Sequence, residues 1–347
     1  MRWGLGLVLR PPSHLLQVVQ LEYHDAWELD RMFILKKFGQ LIVTVILVTL
    51  FASLLLELLP GDPTEVLIPS GSDQQRADLR QELKLDQSFA VRYSTWLGNF
   101  ATGDMGNYYT VSSDRPVSDR LWQSLPVSLL LMFYAQILAL LFAIPLGVLT
   151  AYRKGSWFDR TSNTSAFAML AIPNFALGFL LQYYLGVKLG WFKTSGYASP
   201  SESPIEHLQY MILPTITLAV GQIAIYMRLL RSDMIATLQQ DFILMAKAKG
   251  LKSKRILFRH ALRPSSLTLL TVAGLNIGTL IGGALIVEVV FALPGMGLML
   301  FEAIGRRQIV AFQSMVAVIA ILYILVNFAV DLLYTVLDPR IRNANKS

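Results

Sequence analysis

Six stretches of this chain are apolar enough, over the roughly 20 residues a bilayer crossing needs, to be membrane spans, and polar or glycine- and proline-marked segments separate them. The pattern predicts spans near Phe38–Leu59, Val127–Tyr152, Ser165–Val187, Met211–Leu230, Leu267–Phe291 and Val310–Leu337. The first ends at Pro60-Gly61-Asp62-Pro63. Pro145 and Pro173 interrupt the second and third spans, where each frees backbone carbonyls and marks a flexing point. Residues 61–120 break the pattern, with nine acidic against six basic side chains and turn residues throughout. Within them, 73–86 reads as a short surface helix around Leu79 and Leu83. Tyr93, Trp96, Leu97, Phe100, Tyr108 and Tyr109 supply apolar material for a small cap.

The polar segment between spans four and five has a different character. From Asp241, read as an N-cap, good helix formers run to Lys249, and Gly250 supplies the stop. A second helix is expected from Ser253 to Arg263, ended by Pro264, with Ile256, Leu257, Ala261 and Leu262 on one face. Nine of the chain's 30 Lys and Arg lie between Arg228 and Pro264, against Asp233 and Asp241 alone. That excess marks a cytoplasmic loop. Arg31, Lys36 and Lys37 before the first span, Arg153, Lys154 and Arg160 after the second, and Arg340 and Arg342 after the sixth agree. The consistent topology has both termini in the cytoplasm and residues 61–120 outside.

Composition supports the membrane reading. Only 15% of residues are charged, against about a quarter in soluble domains, and 54% are hydrophobic. The net charge of +7 points to topology rather than to nucleic acid, because the basic residues cluster next to spans. The absence of cysteine excludes disulfides and thiolate chemistry, and His14, His24, His207 and His260 have no metal-ligand spacing. The first 31 residues carry an apolar stretch too short to span, broken by Pro11 and Pro12, whereas Met32 is followed directly by Phe33-Ile34-Leu35-Lys36-Lys37 and the first span. The organisation expected is therefore an extension outside the native chain, or a poorly ordered tail, over 1–31. A first span over 32–60, an extracytoplasmic segment over 61–120, a core over 121–340 with a cytoplasmic loop at 231–264, and a tail over 341–347 follow.

The segment 241–264 resembles the cytoplasmic coupling loop of binding-protein-dependent ABC importer permeases, through Ala246, Ala248 and Gly250 followed by His260-Ala261-Leu262-Arg263. The likeness is to the dipeptide, oligopeptide and nickel branch, and to its B-type subunit. Nine further patches stand in that branch's order. They are Leu59-Pro60-Gly61-Asp62-Pro63, Gly103-Asp104-Met105-Gly106, Ile144-Pro145-Leu146-Gly147-Val148 and Gly155-Ser156-Trp157-Phe158-Asp159-Arg160. Then come Ile172-Pro173, Leu189-Gly190-Trp191, Gly282-Gly283-Ala284 with Val287-Glu288, Pro294-Gly295-Met296-Gly297, and Leu337-Asp338-Pro339-Arg340. The glutamate that names the coupling motif is absent, since Leu244 stands six residues before Gly250.

The resemblance implies an all-α, six-span integral membrane protein of the type I importer architecture, in a bacterial or archaeal cytoplasmic membrane. It implies pairing with a homologous C-type permease, two ATPase subunits below and an extracytoplasmic solute-binding protein above. ATP and Mg would bind the partner subunits, with no cofactor on this non-catalytic chain. The substrate implied is a di- or oligopeptide; a nickel chelate, glutathione or another small solute would fit the same machinery. Asp241, Ala246, Ala248, Gly250, His260, Leu262 and Arg263 would form the ATPase-coupling loop, with the two alanines small enough to dock in a groove.

Several residues inside the spans have two readings. Asn174, Gln182, Gln222, Asn276 and Asn327 either line a polar path or bond between helices. Glu288, near the outer end of span five, either shapes the outer gate or meets a peptide's ammonium group, or else pairs with a basic residue of its own chain. Gly274, Gly278 and Gly282, four residues apart, make a small-residue stripe that faces either the partner permease or a neighbouring span. Rival functions fare worse. An ion-driven carrier would place charges at the midplane, an embedded enzyme would show a motif such as HExxH or GxSxG, and an ATPase would show GxxxxGK[ST]; the sequence has none of these. A nucleic-acid reader fits poorly, because both ends of the basic segment lead into spans. The Met32 start predicts that N-terminal sequencing of the natively expressed protein reads Met-Phe-Ile-Leu; a mature chain beginning at Met1 would refute it.

Overall fold

The computed structural model describes residues 37–109 and 114–337. The expectations for residues 1–31, Lys36, Arg340, Arg342 and the tail 341–347 lie outside that range. The chain divides into two units, residues 1–47 and 48–347. In its described part the first is the beginning of a long helix, α1 (Lys37–Glu57). The second contains the remainder of α1 and everything that follows.

Residues 61–120 fold into short elements. They are α2 (Pro63–Leu67), α3 (Asp73–Glu82), α4 (Phe89–Ala101) and an antiparallel two-residue pair, β1 (Asn107–Tyr108) with β2 (Arg115–Pro116). Ser72 starts α3 through a reciprocal capping box with Gln75, which satisfies two backbone donors at once. The segment is bonded to the bundle. Trp96 Nε1 donates to Ser314 Oγ at 3.0 Å, Ser314 Oγ donates to Met105 O at 2.8 Å, and Tyr109 N donates to Gln308 Oε1 at 2.9 Å. Tyr93, Trp96 and Tyr108 are buried, so three of the expected aromatic residues do pack.

The bundle is α5 (Val117–Tyr152), α6 (Trp157–Ala171), α7 (Asn174–Leu181, continued as a π turn over Gln182–Lys188) and α8 (Pro204–Leu238). After α9 (Asp241–Ala248) come α10 (Ser253–Phe291), α11 (Met296–Gly305) and α12 (Ile309–Leu337). Among the described residues five helices qualify as spans by length and composition, and α6 with α7 makes a sixth, bent by 100°. The expected third span is thus not one straight helix. Pro173 lacks an N–H and forces Ile172 into extended backbone (φ −88°, ψ 119°), which ends α6. Pro145, by contrast, sits inside an unbroken α5.

The bent pair still crosses the bundle. Residues 127–135 of α5 pack beside 211–218 of α8, and 139–151 beside 219–234, so the two helices run parallel. The chain must return from one end to the other between them, as any parallel pair requires. Asp159 of α6 is bonded to Arg231 near the end of α8, while Gln182 donates to Thr194 O and Val290 O at the opposite end. The pair is one broken crossing, and the count of six holds.

α5 and α8 form the most extensive helix contact. On α5, Ala135, Ala139, Ala143, Gly147 and Ala151 recur every four residues and are all buried. They make a flat ridge against which α8 lays Tyr226, Met227, Leu230 and Met234. A Cβ added at Gly147 would stand 3.0 Å from Leu230 Cβ. α8 is the least hydropathic of the five long spans (1.5 against 1.9–2.6) and the most buried, with 61% of its window enclosed against 22–39%. The two facts agree, because a helix carrying Thr215, Thr217 and Gln222 is costly to expose to lipid and sits where protein surrounds it.

The Gly274 and Gly278 stripe faces the chain's own last helix. An added Cβ would meet Val330 at 2.8 Å and Tyr323 at 2.8 Å respectively, whereas Gly282 has open space around it. The tightest glycine contact with α8 is therefore on α5. Gly147→Leu is expected to overpack the seam by about 1–3 kcal/mol and lower the thermal midpoint of the purified chain, while Gly282→Ala leaves the midpoint level or higher.

Candidate coupling surface and translocation cleft

α9 follows α8 after a two-residue turn. Gln240 (φ −75°, ψ 151°) is the capping position and makes no side-chain cap bond, so Asp241 is the first helical residue rather than the N-cap. Its charge still favours the helix start through the dipole. At the other end the expected stop is present. Gly250 adopts φ +74°, its N–H donates to Lys247 O at 2.9 Å, and Leu251 N donates to Ala246 O at 3.3 Å. These two bonds form a Schellman end, which needs the left-handed backbone glycine adopts at little cost.

The second helix does not stop at Pro264. Ile256–Ala261 winds as a π turn, the N–H of Leu262 reaches Leu257 O, and the helix continues to Phe291. A proline inside a helix removes one backbone donor and crowds the carbonyl four residues before it, here His260. The wider winding just upstream reroutes the bonding at that point, so Pro264 becomes part of a span. His260 and Leu262 are half-buried and Arg263 is exposed.

Burial assigns the faces of α9. Ile243 and Ala246 are buried and pack, with Ile256, Leu257 and Ala261, into the core that also holds Met234. Ala246 therefore seats α9 on its own chain rather than on a partner. Ala248 and Gly250 are exposed, and so are Phe242, Leu244 and Met245, the last at 60%. The outward apolar face was not singled out from the sequence, although an apolar run broken at Ala246 by lysines contains the signal.

Two clamps hold this end of the bundle. Arg231 donates from Nε to Asp159 Oδ1 at 2.6 Å and from Nη2 to Oδ2 at 2.7 Å. Asp159 also accepts from Gly155 N and from Asn163 Nδ2, each at 2.8 Å. The Asp159 side chain is 4% exposed, so removal of one partner would strand a buried charge at a cost of about 3–5 kcal/mol. The spacing Ser156-x-x-Asp159 is the sequence signal for this turn. In the second clamp, the hydroxyls of Thr237 and Ser265 are 2.9 Å apart and join the end of α8 to α10.

Midway along the bundle, three of the expected path residues come together. Asn174 opens α7 directly after the Pro173 break, and Gln222 of α8 lies beside it on one cleft of about 240 Å³. Asn276 of α10 donates from Nδ2 to Gln222 Oε1 at 3.1 Å. Gly221 and Gly283 border the cleft, and an added Cβ at Gly283 would stand 3.5 Å from Asn174 Nδ2. Gln182 is bonded to two backbone carbonyls, as the packing alternative had it.

Glu288 is elsewhere. It is fully buried, and its Oε2 accepts from Gly297 N at 2.6 Å, while Ser128 Oγ accepts from Met296 N at 2.9 Å. No basic side chain pairs with it among the described residues. The carboxylate caps the start of α11 and holds the turn through Pro294 and Gly295, whose missing side chain leaves it room. The ion pair is absent among the described residues, and the bond that Glu288 does make is a turn lock.

Residues 143–343 match the family of binding-protein-dependent transport system inner membrane components. The chain belongs to that family. A putative peptide transport system permease protein of Brucella abortus (strain 2308) is 36% identical over 310 residues, covering 89% of this chain and 98% of the relative. The oligopeptide transport system permease protein AppB of Bacillus subtilis is 37% identical over 85% of this chain and 94% of its own length. The dipeptide transport system permease protein DppB of Alkalihalophilus pseudofirmus is 32% identical, over 87% and 96% respectively. A solved chain of the methionine ABC transporter MetNI, in inward-facing form, superposes with a TM-score of 0.51 at 18% identity over 63% of this chain and 96% of that one. At that identity the likeness speaks for a shared fold, and the fold is the six-crossing importer bundle expected above.

The turn lock has a direct consequence. Glu288→Leu removes the acceptor for the Gly297 N–H and is expected to destabilise the purified chain by about 1.5–3 kcal/mol in thermal unfolding, whereas a substrate contact would lower uptake at unchanged stability.

Proposed function

We propose that this multi-pass membrane protein is one permease half of an ATP-driven importer that admits peptides delivered by a solute-binding protein. The homologues named as peptide permeases support the substrate class. A second, homologous permease completes the path, and two ATPase subunits hold ATP and Mg on the cytoplasmic side, so this chain performs no hydrolysis of its own. The basic loops support a cytoplasmic side for both termini and α9, with residues 61–120 on the side where the binding protein docks.

The observation that carries the reading is the two-faced helix α9. Its buried face, Ile243 and Ala246, fixes it to α8 and α10, and its apolar face, Phe242, Leu244 and Met245, stays exposed among the described residues. Such a face is suited to a groove on an ATPase, and movement of the groove would be passed to the spans as a push. The cleft with Asn174, Gln222 and Asn276 is this half's share of the path.

Two substitutions separate docking from folding. Met245→Glu puts a charge on the exposed face. Gly250→Pro imposes φ near −65° where +74° is needed and removes the Lys247 bond. With partner subunits reconstituted in liposomes, both are expected to insert normally yet lower peptide uptake and substrate-stimulated ATP hydrolysis at least about tenfold, the equivalent of ~1.4 kcal/mol or more of lost coupling. Wild-type uptake by both variants would remove the docking assignment.

A further inference from the structure

The cleft beside the Pro173 break has an unusual chemical make-up. None of its lining residues is charged, and its polar side chains are amides and one hydroxyl: Asn174, Gln222 and Thr279. Thr279 Oγ1 spends its proton on Asn276 O at 2.8 Å. Gln222 Oε1 accepts from Asn276 Nδ2, and the Gln222 NH₂ group makes no hydrogen bond among the described residues. Asn174 makes no hydrogen bond among the described residues, so both its carbonyl and its NH₂ group are available. Asn174 and Gln222 are half-exposed, so their amides are within reach of whatever enters the cleft.

A primary amide presents one acceptor and two donors from one planar group. A peptide bond presents the complement, one donor and one acceptor in one plane, and it is the feature common to all peptides whatever their side chains. The glycines matter as well. Gly221 has nothing within 4 Å of an added Cβ, so the wall is open beside Gln222, and Gly283 lets Asn174 approach α10 closely. Charged termini find no partner here.

We propose that Asn174 and Gln222 hydrogen-bond the peptide bond of the substrate as it passes the bend between α6 and α7, so that the cleft selects amide backbone and ignores terminal and side-chain charge. This inference rests on the peptide-importer reading above and adds a recognition step within the permease itself.

The test is a two-by-two cycle of uptake in proteoliposomes holding the full transporter and its binding protein. One axis is wild type against Asn174→Leu, with Asn174→Ser as a second variant in case Leu impairs assembly. The other axis is alanyl-alanine against the same dipeptide methylated on its peptide nitrogen. Any effect of methylation on the binding protein is common to both transporters and cancels in the cycle. Loss of one hydrogen bond is expected to slow uptake of the unmodified dipeptide roughly fivefold in the variants. The methylated dipeptide, already lacking that donor, should enter wild type and variant at rates within about twofold of each other. Equal losses for both substrates would overturn the inference and leave peptide import standing. Failure of the wild type to take up alanyl-alanine or any longer alanine peptide would overturn the importer reading and the inference with it.

Discussion

The contact between α5 and α8 is the constraint on which the rest of the bundle depends. In a bilayer the lipid tails are as apolar as the side chains, so helices associate through close packing and hydrogen bonding rather than through expulsion of water. Five small residues at four-residue intervals, Ala135 to Ala151, give α5 the flat surface that such packing requires. Because the two helices are parallel, the intervening chain must cross back between them, and the bent α6–α7 crossing is the result. Because α8 is enclosed, it can carry the polar groups that no lipid-facing span could bear, including Gln222 and the Tyr226 hydroxyl bonded to Gln136 at 3.1 Å. The seam thus determines both the topology and the location of polarity.

The bend at Pro173 is the second consequence of backbone chemistry. A continuous third span would have closed over the middle of α8 and α10. Breaking the helix at Ile172 stops it short and turns Asn174 toward Gln222 and Gly283. The extended backbone of Ile172 before Pro173 creates the bend, and the bend borders the cleft. At the far end of α10 a different device works in the opposite sense, since Glu288 and Ser128 fasten the turn into α11 with bonds to successive backbone N–H groups. One part of α10 borders an open groove while its end is locked.

Much of this was legible in the sequence, and the parts that were not share a cause. Spans, the coupling segment and the Gly250 stop follow from local rules of length, charge and backbone preference. The faces of helices do not. Ala246 and Ala248 look alike in sequence, yet one is buried under α9 and the other exposed, because the direction of a helix face depends on what lies beneath it. The ridge on α5 was visible as a four-residue repeat, but alanine is so common in helices that three glycines on α10 drew the eye instead. Pro264 and Glu288 differ from their local reading for a related reason. A π turn upstream and a backbone donor nine residues downstream are tertiary facts, and each converts a residue with an obvious local meaning into one with another.

Force applied at α9 has a short route to the cleft. α9 is seated through Ile243 and Ala246 on the feet of α8 and α10, and the Schellman turn at Gly250 and the Thr237–Ser265 contact join those helices below. The Asp159–Arg231 clamp ties α6 to the same foot. Those three helices converge again at mid-depth, where Gln222 and Asn276 bond across α8 and α10, and where α6 gives way to Asn174 at the Pro173 break. Close-packed helices shift as bodies rather than deform, so displacement at the foot alters spacing where the next cross-link is weakest. A single neutral amide pair is weaker than a bidentate ion pair. The cleft is therefore the place in this bundle where motion from below would first open or close a gap.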